Sequence, residues 1–245
     1  MRLLPTSKLL SILFGCGIVL LGFAQANAKP SAATPPPSRL DQFAKLPNWA
    51  GVWDPVANPQ TATAPVEPVY NAAWLAKRNA HPTKKPVVTE PVDNVHSQCV
   101  WGMPRLLKSM RAFEVIVLPE QTFFSYDINE FRHVWTDGRK HSLHAATNVG
   151  HSIGHWEGQT LVIETTGMQP GLWINYKGAT LSAKAIVQER WSQVDNDHLK
   201  VDVSVLDNTA LAKPFVFTRR FQRADTNQLI QQQCFEEPHD ARKES

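Results

Sequence analysis

Short runs of alternating apolar and polar residues follow one another from residue 113 to about residue 236 of the chain. These runs are rich in Val, Ile, Phe, Trp and Thr, and turn signals such as Asp-Gly and Glu-Gly separate them. Roughly nine such runs at hairpin spacing, without a long segment of helical period, are typical of all-β proteins. The pattern predicts an antiparallel meander that closes into a barrel or folds into a sandwich, and we favour the barrel.

The pattern is clearest at residues 150–167, which read GHSIGHWEGQTLVIETTG. An acid-glycine pair, Glu157-Gly158, separates two strand-type runs and suits a tight hairpin turn. We therefore interpret this stretch as two antiparallel strands joined at that pair. Trp156 and the face that carries Leu161 and Ile163 are expected to supply packing.

The segment before the meander, residues 46–112, has a different composition and is rich in Pro, Ala, Thr and Asn. It contains one short helical pattern, at residues 71–80. Trp49, Trp53 and Trp74 are large apolar side chains that can anchor such a segment to a core. We predict an irregular N-terminal arm laid across the barrel.

The first 28 residues have the composition of a secretory signal. Arg2 and Lys8 precede an apolar stretch, and Ala26-Asn27-Ala28 is the small-x-small pattern that signal peptidases read. The alternative is a membrane anchor, but the apolar stretch is shorter than a comfortable span. We expect a periplasmic or secreted bacterial protein without a membrane span after cleavage. The predicted signal peptide, Pro/Ala-rich linker, single β-rich domain and polar tail are residues 1–28, 29–45, 46–237 and 238–245.

Charge and cysteine content narrow the classes of protein further. Removing residues 1–28 takes away two of the 25 basic residues and none of the 22 acidic ones, which leaves a net charge of +1. Because no Lys/Arg stripe is present, nothing indicates a nucleic-acid partner. Cys99 and Cys234 then remain as the two cysteines, and we predict that they form a disulfide. Two buried free thiols are the alternative.

Three predicted strands place a polar residue in phase with large apolar ones. Glu189 shares a face with Trp191, His133 with Trp135, and Arg219 with three phenylalanines. A polar group on an inward face is costly unless it is paired or lines a cavity. Glu189 and Arg219 are therefore expected to pair across the barrel, either as a structural ion pair or as two groups that flank a ligand cavity.

Five of the nine histidines lie close together in the sequence, and they raise the question of a metal site. His151 and His155 lie about 13 Å apart along an extended strand, which is too far to chelate one ion. We therefore predict no metal. The five histidines are His133, His141, His144, His151 and His155.

Several motifs together resemble an uncharacterised family of exported proteins from proteobacteria and acidobacteria. They are CVWGMPR at residues 99–105, EFRHVWTDGR at 130–139 and GHSIGHWEGQTLVIETTG at 150–167. The resemblance covers residues 46–237 and implies the fold unit and the disulfide, but no reaction. The sequence departs from the family at Gln159, where the pattern has an acid. The matching positions are Arg105, Glu130, Arg132, Asp137, Arg139, His151, Ser152, Trp156 and Thr160. Separately, Gly-Val-Trp at 51–53 is similar to the Gly-x-Trp that begins lipocalin-like (calycin-like) barrels.

Two functional hypotheses follow. In the first, the protein is an enzyme of isomerase, lyase or hydrolase type that acts on a small apolar or aromatic molecule by acid/base chemistry without a cofactor. His151 and Glu189 would transfer protons, and Arg132 would hold a carbonyl or carboxylate. In the second, the same groups only orient the ligand of a periplasmic carrier. In both, the predicted substrate-binding residues are His133, Trp135, His141, Trp191 and Arg219.

Overall fold

Nine strands form a closed β-barrel in the part of the chain that the structure describes. The computed structural model describes residues 38–56, 67–80, 101–109, 111–142, 145–172, 174 and 179–232. The strands are β1 Gly51–Pro55, β2 Phe113–Val117, β3 Gln121–Tyr126, β4 Phe131–Trp135, β5 His151–Glu157, β6 Thr160–Thr166, β7 Ile186–Asp195, β8 His198–Leu206 and β9 Phe215–Arg223. Each strand pairs with the next one in the chain, and β9 pairs with β1. The prediction of an all-β barrel is confirmed.

One strand pair departs from the predicted antiparallel meander. β4 and β5 are parallel, with Val134 opposite Ser152 and Trp135 opposite Ile153, whereas all the other neighbouring pairs of the barrel are antiparallel. A closed ring of nine strands cannot alternate direction throughout, because an odd ring requires at least one parallel pair. The chain between β4 and β5, of which residues 136–142 and 145–150 are described, must therefore return along the barrel before β5 begins. We call this connection the crossover.

Three short helices accompany the barrel in the described residues. Helix α1, Arg39–Phe43, begins at a capping box in which Ser38 and Asp41 bond each other's backbone N–H groups. It lies within residues 29–45, the segment predicted as a linker. Helix α2, Ala72–Ala80, confirms the helical pattern in the arm, and α3 spans Arg105–Lys108.

The barrel core is dominated by aromatic side chains. Phe113 contacts Phe221 edge to face at a centroid distance of 4.8 Å, and Trp191 stacks on Phe221 at 5.6 Å. Trp49 and Trp53 of the predicted arm are fully buried, so the arm is anchored as expected. Trp53 belongs to β1, however, so the arm also supplies one strand of the barrel itself.

The predicted hairpin joins β5 to β6, but its turn lies at Gly158-Gln159, one residue later than the predicted Glu157-Gly158. Glu157 of β5 is opposite Thr160 of β6, which leaves a two-residue loop. Gly158 has a φ of 62°, a left-handed conformation that glycine adopts without a steric penalty. This hairpin aligns β5 and β6 over their full lengths and so fixes which of their side chains share a face.

Several sequence predictions concern residues outside the described part of the chain. These are the signal peptide at 1–28, the polar tail at 238–245, and Cys99, Cys234 and His144. Within the described residues, no helix is both long enough and apolar enough to cross a membrane.

Candidate functional site

The centre of the barrel is occupied by an ion pair between Arg132 of β4 and Glu189 of β7. Arg132 Nη2 donates to Glu189 Oε1 at 2.6 Å, and Nη1 donates to Oε2 at 2.9 Å. The two side chains are 1% and 0% exposed. Burial opposes the charge of Arg132, but the nearby Glu189 carboxylate more than offsets this effect and raises the pKa of the guanidinium.

Neighbouring side chains complete the hydrogen bonding of this pair. Arg132 Nε donates to Ser152 Oγ at 3.0 Å, and Arg132 Nη2 also donates to Thr165 Oγ1 at 2.7 Å. Trp191 Nε1 donates to Glu189 Oε2 at 2.9 Å. Burial also raises the pKa of the adjacent Tyr126, which keeps its hydroxyl neutral. Four of the five N–H groups of Arg132 and both oxygens of Glu189 are thus hydrogen-bonded. This desolvated pair holds strands β4, β5, β6 and β7 together.

This arrangement changes the roles expected for Glu189 and Arg219. Glu189 pairs with Arg132 and not with Arg219, because both members of the observed pair point into the centre of the barrel. Arg219 is half-buried, and its Nη2 donates to the backbone carbonyl of Lys108, the last residue of α3. Burial lowers the pKa of Arg219. Since both side chains are fully buried and bonded to each other, this pair is engaged inside the barrel and is not presented to a ligand at the surface.

The predicted face of β4 is also reversed. Arg132 and Val134 are the buried residues of this strand, whereas Phe131 is 60% exposed and His133 is also exposed. His133 and Trp135 therefore lie on the outer face and not in an internal cavity. His133 contacts Phe123 of β3 edge to face, at a centroid distance of 4.3 Å. Trp191, by contrast, is inside as predicted, but it serves the ion pair.

A groove on the outer face of the barrel lies between the crossover and strands β5, β6 and β7. Its volume is about 570 Å³, which is within the range of small-molecule sites. Ile153 and Val162 are apolar residues of adjacent strands at the groove, and the crossover contributes Gly138 and Arg139. The groove is lined by Gly138, Arg139, Ile153, Gly154, His155, Val162, Ile163, Glu164, Gln188, Glu189 and Arg190.

Beside this groove, the crossover brings His141 against His151 at the start of β5. Their Nδ1 atoms are 2.9 Å apart, a hydrogen-bond distance in which one imidazole donates and the other accepts. His151 shares the outer face of β5 with Ile153, which lines the groove. The sequence predicted both histidines as site residues, and the parallel β4–β5 arrangement explains how they meet.

Glu164 of β6 contacts the other side of His141. Its Oε1 atom lies 3.5 Å from His141 Nε2, which is an ion-pair distance but longer than a good hydrogen bond. The Nε2 atom of His141 is buried and has no hydrogen-bond partner among the described residues. Glu164 Oε2 accepts from Gln188 Nε2 at 3.3 Å. Glu164, His141 and His151 thus form a row across two strands and the crossover.

Arg139 is the basic residue that the crossover adds to the groove. Its Nε and Nη2 donate to both carboxylate oxygens of Asp137 at 2.6 to 3.0 Å, and its guanidinium stacks on Trp135 at 3.6 Å. Nη1 has no hydrogen-bond partner among the described residues. Stacking and the bond to Asp137 hold the guanidinium in place at the groove, where it can meet a polar group of a ligand.

The electrostatic environment keeps His151 neutral. Partial burial lowers the pKa of its imidazole, and the neighbouring His141 and Arg139 lower it further because they disfavour a second positive charge. A neutral imidazole with one bonded and one free nitrogen is a suitable proton acceptor near neutral pH.

The other histidine of β5, His155, does not join this row. His155 is exposed on β5, and its Nε2 lies 3.2 Å from Glu157 Oε1. Among the described residues, no three His, Cys, Asp or Glu side chains converge in a way that could hold a metal ion.

Sequence reasoning missed three residues that shape these two sites. Ser152 and Thr165 complete the buried ion pair, and Glu164 extends the histidine pair. The alternation of β6 does indicate which way its side chains face, because Leu161, Ile163 and Thr165 are inward and Glu164 is outward. Only the β5–β6 register, in which Ser152 lies opposite Thr165, shows which residues come together.

The fold and the site define a class of protein: an all-β barrel with a buried ion pair at its centre and a groove on its outer face beside a histidine pair. Comparison of the sequence with models of protein families gives no match, and comparison with curated proteins gives none either. The function is therefore argued from the site itself.

Proposed function

We propose that the protein is an exported acid/base catalyst that acts, without a cofactor, on a small molecule bound in the outer groove. The observation that carries the proposal is the 2.9 Å contact between His141 and His151 beside a groove of about 570 Å³. His151 is the proton acceptor, because the environment keeps it neutral. Arg139 binds the carbonyl or carboxylate group of the substrate, a role that the sequence analysis gave to Arg132.

The groove favours a ligand with an apolar body and one carbonyl or acidic group. Ile153 and Val162 offer apolar surface, while Arg139 offers a guanidinium whose Nη1 is not used by Asp137. A base beside a carbonyl can remove the proton from the adjacent carbon, which is the first step of many isomerase and lyase reactions. The proposed substrates are therefore small aryl or alkyl carbonyl compounds.

A carrier without catalysis is the second candidate, and it uses the same groove. The Arg132–Glu189 pair occupies the centre of the barrel, so a carrier would also bind its ligand outside. The two candidates differ only in whether His151 exchanges a proton with the bound molecule.

Proton exchange in deuterated water separates the two candidates. The protein is incubated in D₂O with a panel of small aryl ketones, and deuterium at the carbon next to the carbonyl is followed by NMR. Methyl signals of Ile153 and Val162 report binding, with the exposed Val216 of β9 as the control methyl. We expect saturable shifts of the groove methyls together with protein-dependent deuteration.

Substitution of two histidines assigns the proton transfer. His151→Gln should keep the methyl shifts and lose the deuteration, whereas His198→Gln, at an exposed histidine of β8 outside the groove, should keep both. Saturable binding without deuteration of any compound would establish the carrier instead. The absence of any groove shift across the panel would reject both candidates.

A further inference from the structure

Three side chains form a continuous row from β6 to β5. Glu164 Oε1 is 3.5 Å from His141 Nε2, and His141 Nδ1 is 2.9 Å from His151 Nδ1. Both ring nitrogens of His141 are therefore in contact with the row, whereas His151 uses only its Nδ1. The two ends of the row differ chemically, because the carboxylate of Glu164 is at one end and the imidazole of His151 is at the other.

Counting protons fixes the tautomers of this row. Two Nδ1 atoms at 2.9 Å share one proton, since two N–H groups facing each other would repel. Glu164 accepts but cannot donate when it is ionised, so it favours the proton of His141 on Nε2. His141 Nδ1 is then the acceptor, and His151 carries its proton on Nδ1. This leaves the Nε2 lone pair of His151 free.

We infer that Glu164 and His141 are positioning residues that fix the tautomer of His151 and direct its Nε2 lone pair to the substrate. This inference rests on the proposed function. When His151 Nε2 forms its new N–H bond, the C–H bond of the substrate breaks and its electron pair stays on the substrate as an enolate. His151 becomes an imidazolium whose Nδ1–H remains bonded to His141. Its Nε2 proton exchanges with solvent, so in D₂O a deuteron returns from Nε2 to the carbon of the product.

The charged groups around the row indicate which residue stabilises His151 when it is protonated. Arg139 of the crossover disfavours a positive charge on His151, whereas Glu164 of β6 is the acid that faces the row. Gln188 of β7 also contacts Glu164, but its amide is neutral. Glu164 is therefore the group that stabilises the imidazolium, and it acts through His141.

The test compares two carboxylates of the same hairpin by NMR of the histidine ring nitrogens. Glu164→Gln removes the charge but keeps an oxygen for Gln188. Glu157→Gln is the matched control, because Glu157 also lies within ion-pair distance of a histidine, His155, but is not part of the row. Both carboxylates are exposed enough to be replaced without loss of the fold. Glu164→Asp keeps the charge and provides the conservative variant.

In the wild-type protein we expect the Nδ1–H tautomer of His151 to predominate. Glu164→Gln should mix the tautomers of His151 and lower the titration midpoint of His151 by about half a pH unit or more, because it removes a nearby negative charge. Glu164→Asp should restore much of the wild-type signal, and Glu157→Gln should leave His151 unchanged. A wild-type His151 protonated on Nε2, or a Glu164→Gln protein with unchanged His151 tautomer and midpoint, overturns the inference. No substrate is needed, so this result and the deuteration result stand or fall separately.

Discussion

The guanidinium of Arg132 and the carboxylate of Glu189 meet in a two-point ion pair at the centre of the barrel, with N–O distances of 2.6 and 2.9 Å. Removing two charges from water costs several kcal/mol each, and only close geometry and further hydrogen bonds offset this cost. Ser152, Thr165 and Trp191 supply those bonds. The pair therefore holds the strands in register and makes the interior an unsuitable place for ligand chemistry.

Glu189→Gln should destabilise the fold and not merely remove an activity. The substitution leaves Arg132 charged and buried without a counter-charge, and breaking a buried pair in this way costs about 3–5 kcal/mol. The measurement is urea unfolding followed by tryptophan fluorescence. Glu157→Gln is the control, since its partner Arg190 is exposed and solvent screens that pair. Equal stability of the two variants would contradict a structural role for the buried pair.

Replacing both partners should cost less than the sum of the single replacements. Arg132→Met and Glu189→Leu each leave one buried charge, whereas the double variant leaves none. Trp191 Nε1 loses its acceptor in the double variant, so some destabilisation should remain. A double-mutant cycle in urea should give a coupling of about 2–3 kcal/mol between the sites. Simple additivity of the two effects would show that the charges do not depend on each other.

The sequence predicts the barrel, a hairpin between β5 and β6 and the inward faces of β7 and β9, because long strands with clear alternation specify their faces. For β4 the predicted inward face is wrong, and the reason is physical. It has five residues, large apolar side chains lie on its outer face, and the inward face carries Arg132. The partner that makes this burial tolerable, Glu189, is 57 residues away, so no local pattern contains it.

The outer site was predictable only in part, for a similar reason. His141 and His151 were both candidates, but their contact depends on the parallel pairing of β4 and β5. A closed barrel of nine strands requires such a pair, although its position depends on which connection is long enough to return along the barrel. The β5–β6 register places Glu164 near the histidines, and this register cannot be read directly from the sequence.

Stability should fall in mildly acidic solution because of His151. Its pKa is lowered in the folded protein from an ordinary value of 6.5, so the unfolded chain binds its proton more readily. The contribution of His151 to stability is fully present above about pH 6.5 and is lost as the pH falls through the lower, folded pKa. His141 and Arg139 of the crossover and Glu164 of β6 are the described titratable or charged groups around it.

Urea unfolding at several pH values between 7.5 and 4.5, on the order of the range in which histidines titrate, measures this effect. His151→Gln cannot take up a proton, so its stability should depend less on pH in this window than that of the wild-type protein. His155→Gln removes an exposed histidine of the same strand and should keep the wild-type dependence. A His151→Gln protein with the full wild-type slope would show that another group is responsible.

Gly154 lies where the parallel and antiparallel partners of β5 approach most closely. A Cβ atom at this position would lie 2.7 Å from the carbonyl oxygen of Val162 and 3.1 Å from Cγ1 of Val134. The first atom belongs to the β5–β6 backbone and cannot move aside without breaking the ladder, so Gly154→Ala should cost about 1–3 kcal/mol. The adjacent, outward-facing His155→Ala should change stability by less than about 0.5 kcal/mol. If Gly154→Ala unfolds at the wild-type urea concentration, the backbones of β5 and β6 are not packed as closely as this contact requires.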